Sequence, residues 1–174
     1  MVSLGEFSND LKKAAEEAAE FLREKSARLN KSEEYEESYS GEREFVAELY
    51  RKLSLLNKDY VQSLSIEYFR YKVRERVVEY VFPDIVFQDS KNGRAAVEVK
   101  AVWFLPTRNE GLYKKDVGRI NGDYKKLRDR YSKFDLKIML VAFLGKPDDY
   151  HRNKFKQYIE GIVHGNSSIS VVTC

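Results

Sequence analysis

Three observations in this 174-residue sequence predict an α/β fold. The expected form is a mixed central β-sheet of about five strands flanked by helices, with an extra helix at the N-terminus. First, segments of helical and of strand-like periodicity alternate along the chain instead of segregating. Second, Leu136–Leu144 is a continuous apolar run of the kind found in a central strand covered on both faces. Third, Asn92-Gly93 separates two β-rich segments and predicts a tight turn that lays one beside the other.

The elements follow in order. Residues 7–29 are predicted helical, because Phe7, Leu11, Ala14, Ala18 and Phe21 recur at helical spacing as a narrow apolar seam among charges. The seam has two candidate occupants, the chain's own core or a second copy of the chain, the latter giving a homodimer. Residues 30–40 are acidic and unpatterned. Residues 1–40 are therefore expected as an N-terminal helix with an acidic linker, and residues 41–174 as the core domain. A second helix is expected from Ser40, as N-cap, to about Leu56. At about 100° per residue, Phe45, Val46, Leu49, Leu53 and Leu56 fall within a ~100° sector. Glu42 projects onto its middle, Glu44 lies almost opposite on the solvent face, and Glu48 lies outside the sector. A carboxylate in line with the stripe should point to the edge of the core, although an acid in the first turn also suits the helix dipole.

Tyr60–Val73 alternates around Leu64, Ile66 and Tyr68 and reads as a strand. Val77–Phe87 is richer in β-branched and aromatic residues, and Pro83 implies an edge or a bulge there. Ala95–Val102 reads as a buried strand. A helix is expected from Leu112 or Val117 to Tyr131, despite Gly118 and Gly122, and then the strand Leu136–Leu144. A helix over 149–163 and a strand Ile169–Val172 complete the chain.

Net charge is +3, but residues 1–40 hold ten acidic and six basic side chains, and residues 108–156 hold 14 Lys and Arg against 7 Asp and Glu. Such a basic stretch suits a polyanion, or simply forms a solvated helix surface. Cys174 is the one cysteine, which excludes an intrachain disulfide and a Cys-rich zinc or iron–sulfur site. No apolar run approaches a membrane span, and the first residues lack the blocks of a signal peptide, so a cytoplasmic chain with no membrane partner is expected.

Chemistry concentrates at Pro83-Asp84 and Glu98-Val99-Lys100. Alternation in a strand puts Glu98 and Lys100 on one face, and Val97 and Val99 on the other. Two charges on a half-buried strand carry a desolvation penalty of several kcal/mol, roughly, unless something offsets it. A divalent metal and a phosphate would do so. The Asn-Gly turn lets Asp84 and Glu98 approach one cation across an antiparallel pair. Oxygen ligands from two carboxylates, completed by water and phosphate, suit Mg²⁺ or Mn²⁺ better than zinc.

The order helix, three strands, helix, strand, together with Glu42, Pro83-Asp84 and Glu98-Val99-Lys100, resembles the PD-(D/E)XK nuclease superfamily over residues 41–144. The resemblance implies a restriction-endonuclease-like core and metal-dependent hydrolysis of DNA phosphodiester bonds. Asp84 and Glu98 would bind Mg²⁺ or Mn²⁺, with the Val99 carbonyl a further ligand. Lys100 would orient water or stabilise phosphate charge, and Glu42 would be the first-helix acid. Glu42-Arg43-Glu44-Phe45-Val46 is similar to the start of archaeal Holliday-junction resolvases. The exonuclease branch carries Gln four residues before a Tyr; here Tyr124 follows Ile120, which counts against that branch. Asp123-Tyr124-Lys125-Lys126-Leu127 resembles the following helix of endonuclease-like members. Lys125, Lys126 and Arg128 could face a DNA backbone, duplex, branched or single-stranded, and Trp103 could stack on an unpaired base or pack internally. The rival reading is a catalytically silent nuclease-fold module for nucleic-acid binding or assembly.

Overall fold

The long apolar strand predicted at Leu136–Leu144 occupies the interior of the sheet in a computed structural model of the chain. The described residues are 2–29, 39–57, 59–60, 64–65, 71–73, 76–78, 83–104, 110–145, 149–163 and 169–174. Helices α1 (Leu4–Leu29) and α2 (Tyr39–Leu56) come first. Strands β1 (Leu64–Ser65), β2 (Tyr71–Val73), β3 (Arg76–Val78), β4 (Ile85–Gln88) and β5 (Arg94–Phe104) follow. Then come α3 (Glu110–Asp129), β6 (Leu136–Gly145), α4 (Asp149–Val163) and β7 (Ser170–Thr173).

The architecture is α/β with a mixed, open sheet in the order β1-β4-β5-β6-β7. Four of its strands have four or more residues, and the two-residue β1 pairs at one edge. β4 runs antiparallel to β1 and β5, whereas β5, β6 and β7 are parallel. β2 and β3 form a separate antiparallel ribbon. The predicted strands Tyr60–Val73 and Val77–Phe87 thus each contain two shorter pieces or parts of them. Ile66, Tyr68 and residues 79–82 lie outside the described residues.

The turn between β4 and β5 spans residues 89–93. Asp89 Oδ1 accepts from the backbone N–H of Lys91 and of Gly93 at 2.8 and 2.7 Å, and Asn92 takes φ 65°. A Cβ on Gly93 would come 2.9 Å from Asp89 Oδ2, so a larger residue there would displace the carboxylate that caps the turn. Its register sets Ile85 opposite Val97.

Two layers cover the sheet. Ala95, Val97 and Val99 join the core beneath α1 and α2, with Phe45, Leu49 and Leu53. Ala96 and Val102 join the core beneath α3 and α4, with Ile120, Leu127, Phe155 and Ile159. Glu98 and Lys100 alternate with the first set and so share the α3 face.

Helix α1 starts at Leu4, a turn ahead of the predicted start, because Ser3 and Glu6 form a capping box. Glu6 Oε2 accepts from Ser3 N at 2.8 Å and Ser3 Oγ accepts from Glu6 N at 3.3 Å. Phe7, Leu11, Ala14 and Ala18 of the predicted seam are fully buried in the chain's own core, where Phe7 stacks on Phe87 at 4.4 Å between ring centroids. Phe21 is the departure: it is 43% exposed, with the Arg51 guanidinium above its ring, and Leu22 fills the core position instead. The seam is therefore already occupied within one chain. Ser40 lies inside the first turn of α2 and not at its cap, since the helix begins at Tyr39. Among the described residues no helix is long and apolar enough to cross a membrane.

Candidate active site

Pro83 has no N–H for a sheet ladder, and β4 begins only after it, at Ile85. Beyond Val97, β5 extends past the end of β4. There the Asp84 side chain takes over the missing partner's role, its Oδ2 accepting the Val99 N–H at 2.7 Å. Asp84 also lies within hydrogen-bonding reach of the Glu98 carboxyl. The two acids expected to converge across the antiparallel pair therefore do so. Val99, expected to offer its carbonyl, uses its N–H to orient Asp84.

Glu98 is 3% exposed, and the Tyr131 hydroxyl donates to its Oε1 at 2.8 Å. Burial pushes the Glu98 carboxyl up to about 8, reinforced by Asp84 and Asp123 and opposed by the bonds from Tyr131 and the charge of Lys126. Burial likewise raises Asp84, against the Val99 N–H and Lys100.

Lys100 projects from the α3 face, yet its ammonium bridges both helical layers. It lies 3.1 Å from Glu42 Oε2 on α2 and 3.0 Å from Asp123 Oδ2 on α3. Burial alone would pull this ammonium down, but Glu42 and Asp123 together hold it above its ordinary value. Burial raises Glu42, and Lys100 partly offsets the rise. Asp123 Oδ1 in turn accepts from Lys126 Nζ.

The predicted residues Glu42, Asp84, Glu98 and Lys100 are thus brought together. Glu44 departs from expectation: it is not purely solvated but bonds Lys25 of α1, with 38% of its side chain exposed. Glu48, placed outside the core sector by projection, is buried at 8% because Arg51 forks onto its carboxylate. Lys126 lies at the mouth of the site, on Asp123, with 38% of its side chain exposed. Lys125 and Arg128 are exposed, and Arg128 pairs with Asp129. The Trp103 side chain is outside the described residues.

Two residues of the site, Asp123 and Tyr131, went unassigned in the sequence. The inward position of Asp123, though not its role, had a readable signal. Asp123 is three residues after Ile120 and four before Leu127, beside the apolar stripe of α3, as Glu42 is in the stripe of α2.

The donor set fits a hard divalent cation. Among the described residues, Asp84, Glu98, Asp123 and Glu42 face two ammoniums, Lys100 and Lys126, an excess of two negative charges were all ionised, which the raised proton affinity of Glu98 reduces. Among the described residues no three His, Cys, Asp or Glu side chains form a ready-made ion cage. Asp84 and Glu98 would act as a two-carboxylate platform, with the other positions left to water and substrate, the arrangement Mg²⁺ prefers.

No protein-family model and no curated protein matches the chain. Among solved structures, SfsA of Pyrococcus furiosus in complex with Ca²⁺ is similar over 74% of this chain and 55% of that one, at 13% identity and a TM-score of 0.36. The chain thus spans about half the length of that protein.

Proposed function

We propose that this chain is a divalent-metal-dependent nuclease with a restriction-endonuclease-like core that hydrolyses DNA phosphodiester bonds as an endonuclease. The observation that supports this reading most is the convergence of Asp84, Glu98 and Lys100 at the end of β4, with Glu42 arriving from the opposite helical layer. Asp84 and Glu98 would hold Mg²⁺ or Mn²⁺, which when bound supplies charge neutralisation and activation of water. Tyr131 and the Val99 N–H fix the directions of the two carboxylates. Glu42 and Asp123 take two of the three protons of the Lys100 ammonium, and the third is left to orient water or meet a phosphate oxygen.

The test is nicking of supercoiled plasmid with Mg²⁺, Mn²⁺ or EDTA, repeated with Asp84→Asn and Lys100→Ala. Cleavage with either metal, none with EDTA and none by the variants is expected. DNA affinity should stay near wild type, because one charge among many phosphate contacts carries a minor share of binding. Cleavage that survives EDTA or Lys100→Ala would sink the mechanism. DNA binding by wild type without cleavage would favour the silent binding module. A panel of junction, flap, single-stranded and duplex DNAs then defines the substrate.

A further inference from the structure

The role of Asp123 goes beyond a counter-ion. We infer that Asp123 is a positioning residue that fixes Lys100 and Lys126 side by side, as a two-ammonium cradle for the phosphodiester undergoing cleavage. The inference rests on the nuclease reading for its substrate and on the side-chain geometry for everything else.

Asp123 is 6% exposed and gives one carboxylate oxygen to each lysine, Oδ2 to Lys100 and Oδ1 to Lys126. Ammoniums on the two oxygens of one carboxylate stand no more than roughly 8 Å apart, close enough to meet different oxygens of one phosphate. Lys100 does not need Asp123 for neutrality, since Glu42 already lies 3.1 Å away. What Asp123 adds is direction. An ammonium on a flexible four-carbon stem is held from both helical layers, so its remaining proton has one orientation. Lys126 leans on Asp123 one helical turn away and keeps 38% of its side chain exposed, at the mouth of the site. The two lysines come from different elements, β5 and α3, and Asp123 is the group that both touch.

Asp123→Asn keeps the shape but supplies one acceptor and one donor, so it can hold only one of the two ammoniums. Asp123→Glu keeps both acceptors on a longer stem. With the full chain, Mg²⁺ and a cleavable DNA, Asp123→Asn should lower kcat about 30-fold or more while KM stays within about threefold. The half-saturating Mg²⁺ concentration should also stay within about threefold, and Asp123→Glu should recover to within about tenfold of wild type. Independently of activity, the two geminal Hε protons of Lys100 and of Lys126 should be resolved by NMR in wild type. In Asp123→Asn one of the two lysines should collapse to the averaged signal seen for the exposed Lys125. The inference is overturned by a kcat within threefold of wild type, by a loss that merely tracks the folded fraction, or by a large Mg²⁺ shift, which would make Asp123 a metal ligand. It is overturned equally if both lysine signals are already averaged in wild type or are unchanged by the substitution. Wild type that cleaves no DNA with either metal removes the nuclease reading, and the NMR result then decides the positioning role alone.

Discussion

Replacing Lys100 with methionine keeps the aliphatic stem and deletes the charge that joins the two helical layers. Its consequence for stability follows from the site. The ammonium lies 3.1 Å from Glu42 and 3.0 Å from Asp123, with 17% of its side chain exposed. Removing one partner of a buried ion pair costs about 3–5 kcal/mol, because the remaining charge is left without compensation. Glu42 is 31% exposed and Asp123 retains Lys126, so the lower end applies, about 3 kcal/mol. In a chain of 174 residues that is a fall in Tm of about 6–12 °C. The excess negative charge also grows, so Mg²⁺ should raise the Tm of Lys100→Met by more than it raises that of wild type. Adding Glu42→Gln should recover about 1–2 kcal/mol, as expected for residues in direct contact. Thermal unfolding of the three proteins in EDTA and in Mg²⁺ measures all of this. A Lys100→Met protein melting within about 2 °C of wild type in EDTA would refute the reasoning. So would a double variant less stable than the single one.

Three further outcomes are expected. Glu42→Gln should reduce cleavage far more than Glu44→Gln, whose half-exposed pair with Lys25 is worth about 0–1 kcal/mol; the reverse ranking in nicking assays would contradict the geometry. Glu98 binds its proton more tightly folded than unfolded, with a folded value of about 8 against 4.5, so its contribution to stability is full below pH 4.5 and is lost as pH rises to about 8. Glu98→Gln should therefore gain on wild type by a few kcal/mol over that window in urea titrations, and a constant difference would show that burial does not perturb the group. Leu11→Ala should cost about 2–5 kcal/mol, and a chain beginning at Ser40 should lose cooperative unfolding altogether, because α1 fills the core. If sedimentation and unfolding instead show a folded monomer replacing a dimer, the seam is intermolecular after all.

Where a pattern has one dominant cause, the sequence was legible. The apolar run of β6, the Asn-Gly turn and the alternation of Val97, Glu98, Val99 and Lys100 each follow from burial or backbone sterics, and the fold places them as those causes require. The inward aim of Glu42 followed from angular position alone. The same projection failed at Glu48, because burial there depends on Arg51, a partner one turn on whose fork makes a core-edge carboxylate tolerable. It also passed over Asp123 and Tyr131. Their importance depends on which strand face α3 covers, a tertiary fact carried by no local pattern. The start of α1 lies ahead of the apolar seam, which begins only at Phe7, and is marked instead by the capping signal Ser3-x-x-Glu6.

The site owes its composition to an interrupted sheet. Had β4 continued through residue 83, a backbone partner would satisfy the Val99 N–H. Proline at 83 stops the ladder, and the next residue supplies a carboxylate where a carbonyl would have been. That single substitution of side chain for backbone brings a charge beside Glu98, which raises the proton affinity of both acids. The acids here outnumber the two lysines, so part of the excess is met by the proton that Glu98 holds, and under the proposed function a divalent cation would take that proton's place. Stability alone would favour filling such a gap with apolar side chains, since buried ion pairs seldom repay their desolvation. A cluster held at this cost, with Lys100 joined to both layers, is the observation on which the proposed reaction at a phosphodiester rests, and it is what the Lys100 and Asp84 variants put to the test.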